Sequence, residues 1–505
     1  MNSAMIALGL ASIMICLGMV LRAKVPFLRK MLVPVSVVGG VIGFIFMNVV
    51  TSALSTDLGG ADADMFTEIV NVLFTISFIS IGLTDARKKK KIPSVDGKKE
   101  SGVMKGALGM GMVWCALYTL TPVIGYVLIS IIGKPFGMSG EYGMLIPFAF
   151  CQGPGQAATY GLIFEETYGF LNSSQVAIMF AVVGFLVAFL VGVPIAKIGM
   201  KKKIARYAGK LNRSVEKGIF TPEEQREPMG KVTTHSGSID TLAFHFALIG
   251  VCYMVAIGIS KLVSFIPIFG PTFANMMFFC GMLAAYLVKA VMKKLHINYI
   301  KNDVLQSKIT GWTSDFLVVC AFMAVKLEAV GNWLTPILIE CVVVTVITAV
   351  ACLYYGERFG GENDFERVLG LYGTCTGTTP SGVALVRMAD PKLVTPTAVE
   401  LGMMNITMFL STPGMILLTL GMTGVMSIQV CCIGMTITGV IFLLLLKPMH
   451  LCNKPTFTLA KGRISKGSDD DDLGFVQGFL REEGDSVNIS SMIEYCTHSV
   501  IICRI

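Results

Sequence analysis

Two short stretches hold the residues best suited to binding a small ion or solute. The first is Cys151-Gln152-Gly153-Pro154-Gly155-Gln156, with Thr159 just beyond. The second is Gly373-Thr374-Cys375-Thr376-Gly377-Thr378-Thr379-Pro380-Ser381-Gly382. Neither reads as continuous helix. The Gly-Pro-Gly core removes a backbone donor and frees carbonyls, and the small neighbours let another backbone come close. Carbonyls ahead of each break, with the Thr hydroxyls, suit Na⁺, a hard cation that prefers oxygen. The helix N-termini after each break present free N–H groups suited to a carboxylate. Neither stretch contains Asp, Glu, Lys or Arg, so dipoles and hydroxyls would hold the solute.

Charged residues deep in apolar runs are few. Glu340 and Glu400 are two, and Asn405 lies close to one turn beyond the second. Charge at bilayer depth is costly and usually faces a bundle interior. Glu400 is therefore a candidate partner for a substrate ammonium or a cation, and Glu340 for a neighbouring helix. No His-Glu-x-x-His or twin-Asp arrangement is present, and the five histidines are scattered, so an enzyme is not expected. A channel would need a continuous polar path, and neither a ring of charges nor a repeated filter sequence is evident.

The elements that must position these stretches are membrane spans. The chain has 505 residues, 54% hydrophobic and only 15% charged, against about 25% charged in soluble domains. The net charge of +8 comes from Lys and Arg in short loops between apolar runs, the mark of cytoplasmic loops and not of nucleic-acid binding. The 14 cysteines lie mostly singly in apolar runs and form neither metal-ligand spacings nor a disulfide framework. With no cationic region ahead of it, the first apolar stretch reads as a span and not as a signal peptide.

Apolar runs long enough to cross about 30 Å of hydrocarbon cover Ala4–Leu21, Val33–Val50, Phe66–Leu83, Val103–Ile132 and Val176–Met200. They resume at Thr241–Ser264, Phe273–Met292, Ser314–Leu327, Trp333–Tyr355, Thr397–Leu420 and Ser427–Leu446. Arg22 to Lys30, Arg87 to Lys91, Lys201 to Lys210 and Lys289 to Lys308 mark inner loops, while Asp57, Asp62 and Asp64 mark an outer one. The parity closes only if Gly143–Phe164 enters and leaves on the outer side. Leu369–Met388, flanked by Arg358/Arg367 and Arg387/Lys392, must likewise dip in from the cytoplasm. Both broken stretches are therefore re-entrant hairpins, with the N-terminus outside and the C-terminus inside.

Each half runs through the same series: a Pro-led span, a shorter span ending in a polar turn, a long span, a broken hairpin and a further span. Five spans per copy is odd, so the second copy is inverted, the pattern of secondary transporters with their site near the midplane. The expected architecture is an all-α membrane protein of two inverted five-span repeats. Residues 1–200 form the first, with hairpin 143–164, and 241–422 the second, with hairpin 369–388. A cytoplasmic linker at 201–240 joins them. An extra span covers 427–447, and the tail at 448–505, with Asp469 to Asp472, reads as disordered or loosely associated. The expected site draws on Gln152, Gly153, Pro154, Gly155, Gln156 and Thr159 from one tip. Thr376, Gly377, Thr378, Thr379, Pro380 and Ser381 come from the other, with Glu400 and Asn405 beside them.

Several of these motifs, in order from about Ala4 to Leu420, resemble the bacterial sodium/glutamate symporter family. They are Pro34…Gly39-Gly40, Ser80-Ile81-Gly82-Leu83, Tyr168-Gly169-Phe170, Val325-Lys326-Leu327 and Gly377-Thr378-Thr379-Pro380. The resemblance implies sodium-coupled uptake of glutamate or a related acidic amino acid in the plasma membrane. It also implies a homodimer, an elevator-like motion of the hairpin-bearing part, and no cofactor beyond Na⁺ as coupling ion. The first tip departs from the family's Gly-His-Gly-Thr-Gly type, and the final span and tail are additions. Another small organic anion, a di- or hydroxycarboxylate, is the alternative substrate.

Overall fold

A computed structural model describes residues 3–51, 58–85, 99–205, 207, 218–219, 230–267, 270–391, 393–460 and 462–463, with backbone alone at 99–102 and 408. Met1–Gly462 forms one compact unit, and of the second, Arg463–Ile505, only Arg463 lies among the described residues. The described chain is almost wholly helical, and eight of its helices are apolar and long enough to cross a membrane.

All eleven runs read as spans are helical. The first half holds α1 (Ser3–Lys24), α2 (Val35–Ile45, continued by a π turn at Phe46–Val50), α3 (Ala63–Leu83) and α4 (Lys99–Ile132). It then makes a broken pair, α5 (Ile146–Phe150) and α6 (Pro154–Leu162), and ends with α7 (Ser173–Lys201). The second half holds α8 (Thr241–Val263), α9 (Met277–Lys294), α10 (Asp303–Met323) and α11 (Leu334–Gly356). Its broken pair is α12 (Asp364–Cys375) and α13 (Thr379–Ala389). The fifth span is split into α14 (Thr397–Thr407) and α15 (Thr412–Met422), and α16 (Ile428–Leu445) closes the bundle.

Local chemistry sets the boundaries. Asp62, Asp240 and Asn302 cap α3, α8 and α10 by accepting hydrogen bonds from backbone N–H groups in the first turn, which satisfies donors that have no helical partner. Pro154 and Pro380 sit in the first turns of α6 and α13, where a missing N–H costs little.

Packing repeats between the halves. α1 lies on α2 as α8 lies on α9. α3 packs on α9 as α10 packs on α2, and α3 and α10 pack on each other. α4 meets α14 as α11 meets α7. Tight crossings are built on glycine: a Cβ at Gly18 would lie 2.6 Å from the Gly39 nitrogen, and one at Gly39 2.6 Å from the Met14 carbonyl. The outward faces are apolar, with Val251, Met254, Val342, Val346, Val350, Ile437 and Leu444 all exposed. Such surface is stable against lipid and not against water.

Two expectations are corrected. The span read as Ser314–Leu327 begins at Asp303 and ends at Met323, because its polar first turns are paired inside the bundle. Ser80 Oγ donates to Gln306 Oε1 at 2.6 Å, which hydropathy cannot see. The tail is also not loose from its start. Asn453 N and Thr456 N donate to the Arg358 and Glu357 carbonyls at 2.7 and 2.9 Å. Phe457, fully buried, sets its ring edge-on to Phe365 of α12 at 5.6 Å. The acidic run Asp469 to Asp472 lies outside the described residues.

Candidate ion and substrate site between two broken hairpins

Both broken pairs are interrupted where the sequence placed the interruption. In the first, α5 stops at Phe150 and α6 starts at Pro154, with Gly153 between them at φ 83° and ψ −175°. That conformation belongs almost only to glycine. In the second, α12 ends at Cys375 and α13 begins at Thr379.

The two tips touch. A Cβ on Gly153 would lie 2.5 Å from Thr378 Cγ2 and 3.2 Å from the Gly377 carbonyl oxygen. Cys151 Sγ points at the Cys375 carbonyl, 3.9 Å away. α7 runs beside both tips, and Gly184 leaves room for the Thr376 carbonyl, which would stand 2.8 Å from a Cβ there. Trp114 of α4, fully buried, donates Nε1–H to the Cys151 carbonyl at 3.1 Å. Tyr372 holds α12 to α7 through the Val187 carbonyl at 3.0 Å.

The predicted site residues divide by what they touch. Among the described residues, Gln152 Oε1 and Gln156 Oε1 are buried with no hydrogen-bond partner, and a buried acceptor of that kind favours a cation or donor beside it. Gly155 is pressed against the Phe74 ring, whose Cδ2 would be 2.1 Å from a Cβ. Thr159 donates to Asn71 Oδ1 of α3 at 2.8 Å, bringing in a residue that the sequence reading missed. A lone Asn inside the apolar run of α3 was the available signal. Thr376 bonds back to the Tyr372 carbonyl at 2.8 Å. Thr378 and Ser381 hydroxyls face each other at 3.4 Å, and Thr379 reaches Asn405 Oδ1 at 3.3 Å. Asn405 therefore belongs to the second tip.

Glu400 does not. Its carboxylate is taken by Arg367, with Nε to Oε2 at 2.7 Å and Nη2 to Oε1 at 2.6 Å, and Asn363 Nδ2 adds a bond at 3.3 Å. Arg367 also pairs with Asp364 at 3.0 Å, and Thr456 of the tail donates to that carboxylate at 3.0 Å. All three charged groups are buried. The expectation of Glu400 as a substrate or cation partner is corrected accordingly, and so is the reading of Arg367 as a loop charge. A bidentate Arg–carboxylate pair is fully engaged, and it ties α12 to α14 instead. A cavity of about 210 Å³ lies elsewhere, lined by Asn48, Thr51, Asp62 and Lys326. The tips themselves are packed closely in this structure.

A family description, sodium/glutamate symporter, matches residues 2–390. The chain belongs to the sodium/glutamate symporter family. The sodium/glutamate symporter of Escherichia coli (strain K12) is 24% identical over 385 residues, 74% of this chain and 86% of that relative. The protein of the same name from Shigella flexneri matches to the same extent. The family match takes in both tips and ends just after α13, so α14 to α16 and the packed start of the tail lie beyond it.

Proposed function

We propose that the protein is a sodium-coupled symporter that takes up glutamate or a related acidic amino acid by alternating access. The observation that carries the reading is the meeting of two broken hairpins around buried, partnerless Gln152 and Gln156 amide oxygens, in a chain of this family. Amide oxygens and tip carbonyls suit Na⁺, and the N-termini of α6 and α13 suit a carboxylate. Glutamate moving with two Na⁺ carries one net charge inward, worth about 2.3 kcal/mol per 100 mV.

Further support comes from which segments touch. Lys326 pairs with Asp64 at 2.9 Å, and Trp333 donates to the Phe136 carbonyl at 3.0 Å, both joining loops assigned outside. Asp85 pairs with Lys293 at 3.3 Å and Lys301 at 3.2 Å, and Lys202 donates to the Ala460 carbonyl, joining segments assigned inside. We therefore read the N-terminus as outside, the C-terminus as cytoplasmic, and the hairpins as entering from opposite faces. The repeated packing supports inverted repeats. Plasma-membrane residence and a homodimer rest on the family resemblance.

The test is thermal unfolding of the purified full chain with glutamate, in Na⁺ and in choline. Ligand at about a hundredfold excess over Kd stabilises by about 2.7 kcal/mol. Stabilisation is expected only with Na⁺, and its loss in Gln156→Leu with an unchanged ligand-free midpoint is expected too. Equal stabilisation in choline would reject sodium coupling.

A further inference from the structure

Glu340 is the buried group that the symport site leaves unused. It lies on α11, about 9 Å from the helix start at 1.5 Å per residue, and is fully buried. Among the described residues neither carboxylate oxygen has a hydrogen-bond partner. Opposite it, α4 crosses the 3-10 turn Gly140–Leu145, which leads into α5, at two glycines packed backbone to backbone. A Cβ on Gly143 would be 2.3 Å from the Gly125 carbonyl. A Cβ on Gly125 would be 2.1 Å from the Gly143 carbonyl and 2.3 Å from Glu340 Oε1. The carboxyl oxygen and the Gly143 carbonyl thus converge on one spot, both bearing lone pairs.

Two facing acceptors in a dry interior repel unless a proton or a cation lies between them. Among the described residues no cation does, and Lys134, on the turn that follows α4, is exposed. On α12, Arg367 is bound to Glu400 and Asp364. Lys105 of α4, and Lys197 and Lys201 of α7, lie near the opposite ends of those helices. Glu141 and Tyr142 on the lead-in turn, Tyr126 on α4, Glu366 on α12 and the neighbouring Cys341 thiol add no positive charge. Na⁺ wants a shell of about six oxygens, and one carboxyl with one carbonyl falls well short of it. A proton needs only these two.

We infer that Glu340 is a proton-binding site. Its carboxyl is held neutral, its O–H directed at the Gly143 carbonyl, and the proton clamps α11 to the crossing of α4 with the first hairpin's lead-in. The proton arrives from hydronium in water and returns to water, leaving a carboxylate, with no change in oxidation state. Ionised Glu340 faces the Gly143 carbonyl across the same gap, and the crossing loosens. Transport then slows as the proton is lost.

Infrared difference spectroscopy of the purified chain tests the site without relying on the transport reading. A protonated-carboxyl carbonyl band at neutral pH, absent from Glu340→Gln and bleaching on alkaline titration, is expected. A band unchanged in Glu340→Gln overturns the inference. So does one that never bleaches where the protein stays folded, or Na⁺-dependent stabilisation lost in that variant without any band. Uptake in proteoliposomes should fall tenfold per pH unit above the bleaching midpoint, as for one essential proton, with Glu340→Gln flat over the same range. Wild-type uptake that ignores that midpoint refutes the clamp. Glu340→Gln and Glu340→Met should both fold, since each replaces a neutral group with a neutral one. Failure of both shows that an ionised carboxylate is required there, and equally overturns the assignment.

Discussion

Replacing Gly153 by Ala tests directly whether the two hairpin tips touch. Two independent costs are expected. At φ 83° and ψ −175° an L side chain is strained by about 1–3 kcal/mol. The new Cβ would also sit 2.5 Å from Thr378 Cγ2 and 3.2 Å from the Gly377 carbonyl, an overpacking cost of about 1–3 kcal/mol. The single variant should therefore lose about 2–6 kcal/mol. Thr378→Ser removes Cγ2 and keeps the hydroxyl that faces Ser381. Combined with Gly153→Ala it should restore the overpacking share and leave the backbone share. The double-mutant cycle should accordingly show a coupling of about 1–3 kcal/mol, read by denaturation of the detergent-purified chain. Additivity within about 0.5 kcal/mol would refute the contact between tips, because no other route relieves one substitution by the other.

Four further outcomes follow from the same structure. Gly155→Ala drives a Cβ to 2.1 Å from the Phe74 ring, which Phe78 and Phe278 hold at centroid distances of 4.8 and 5.1 Å, so about 3 kcal/mol and most uptake should be lost. Gly377→Ala meets only Ser381 Oγ at 3.0 Å and the Gly373 carbonyl at 3.3 Å, and should cost below about 1.5 kcal/mol; equal losses in denaturation assays would contradict the geometry. Glu400→Gln leaves Arg367 without its bidentate partner and should destabilise by about 3–5 kcal/mol, whereas Arg367→Met with Glu400→Leu and Asp364→Asn, which leaves none of the three buried charges unpaired, should recover much of that loss; a triple variant as unstable as the single would show that the cluster does more than offset its own burial. Partial burial raises the Asp85 carboxyl, but Asn298, Lys301 and Lys293 outweigh it and hold the carboxyl well below the ordinary range. Its stabilising contribution is therefore complete above an ordinary value of about 3.9 and is lost as pH falls through the depressed folded value. Asp85→Asn should lower the unfolding midpoint at neutral pH and flatten its acid dependence, and an unchanged midpoint at neutral pH would reject the cluster's role.

Much of the fold was legible because the bilayer simplifies the reading. Apolar length marks spans, and Gly-Pro-Gly at 153–155 and Thr-Gly-Thr at 376–378 cannot continue a helix, so both interruptions stood in the sequence. What stayed hidden is pairing across distance. Charge counting assumes that Arg and Lys mark loops, and Arg367 broke that assumption because its partner Glu400 lies 33 residues further on. Opposite charges in neighbouring apolar segments were the signal, available only to a reading that tests pairs. The start of α10 was misplaced for the same reason, since Gln306 looks like loop until Ser80 is known to meet it. Asn71 was overlooked because nothing local ties it to Thr159. The packed tail at Asn453 and Thr456 carries no periodic signal, since its bonds go to the carbonyls of a turn nearly a hundred residues earlier.

The most direct measurement is uptake of labelled glutamate by proteoliposomes holding the purified full chain, driven by an inward Na⁺ gradient with choline as the control. Saturable, concentrative uptake with Na⁺, absent with choline and lost in Gly153→Ala, is the predicted result. Flux that persists in choline, or that rises linearly without saturation, would contradict a sodium-coupled carrier working at the paired tips.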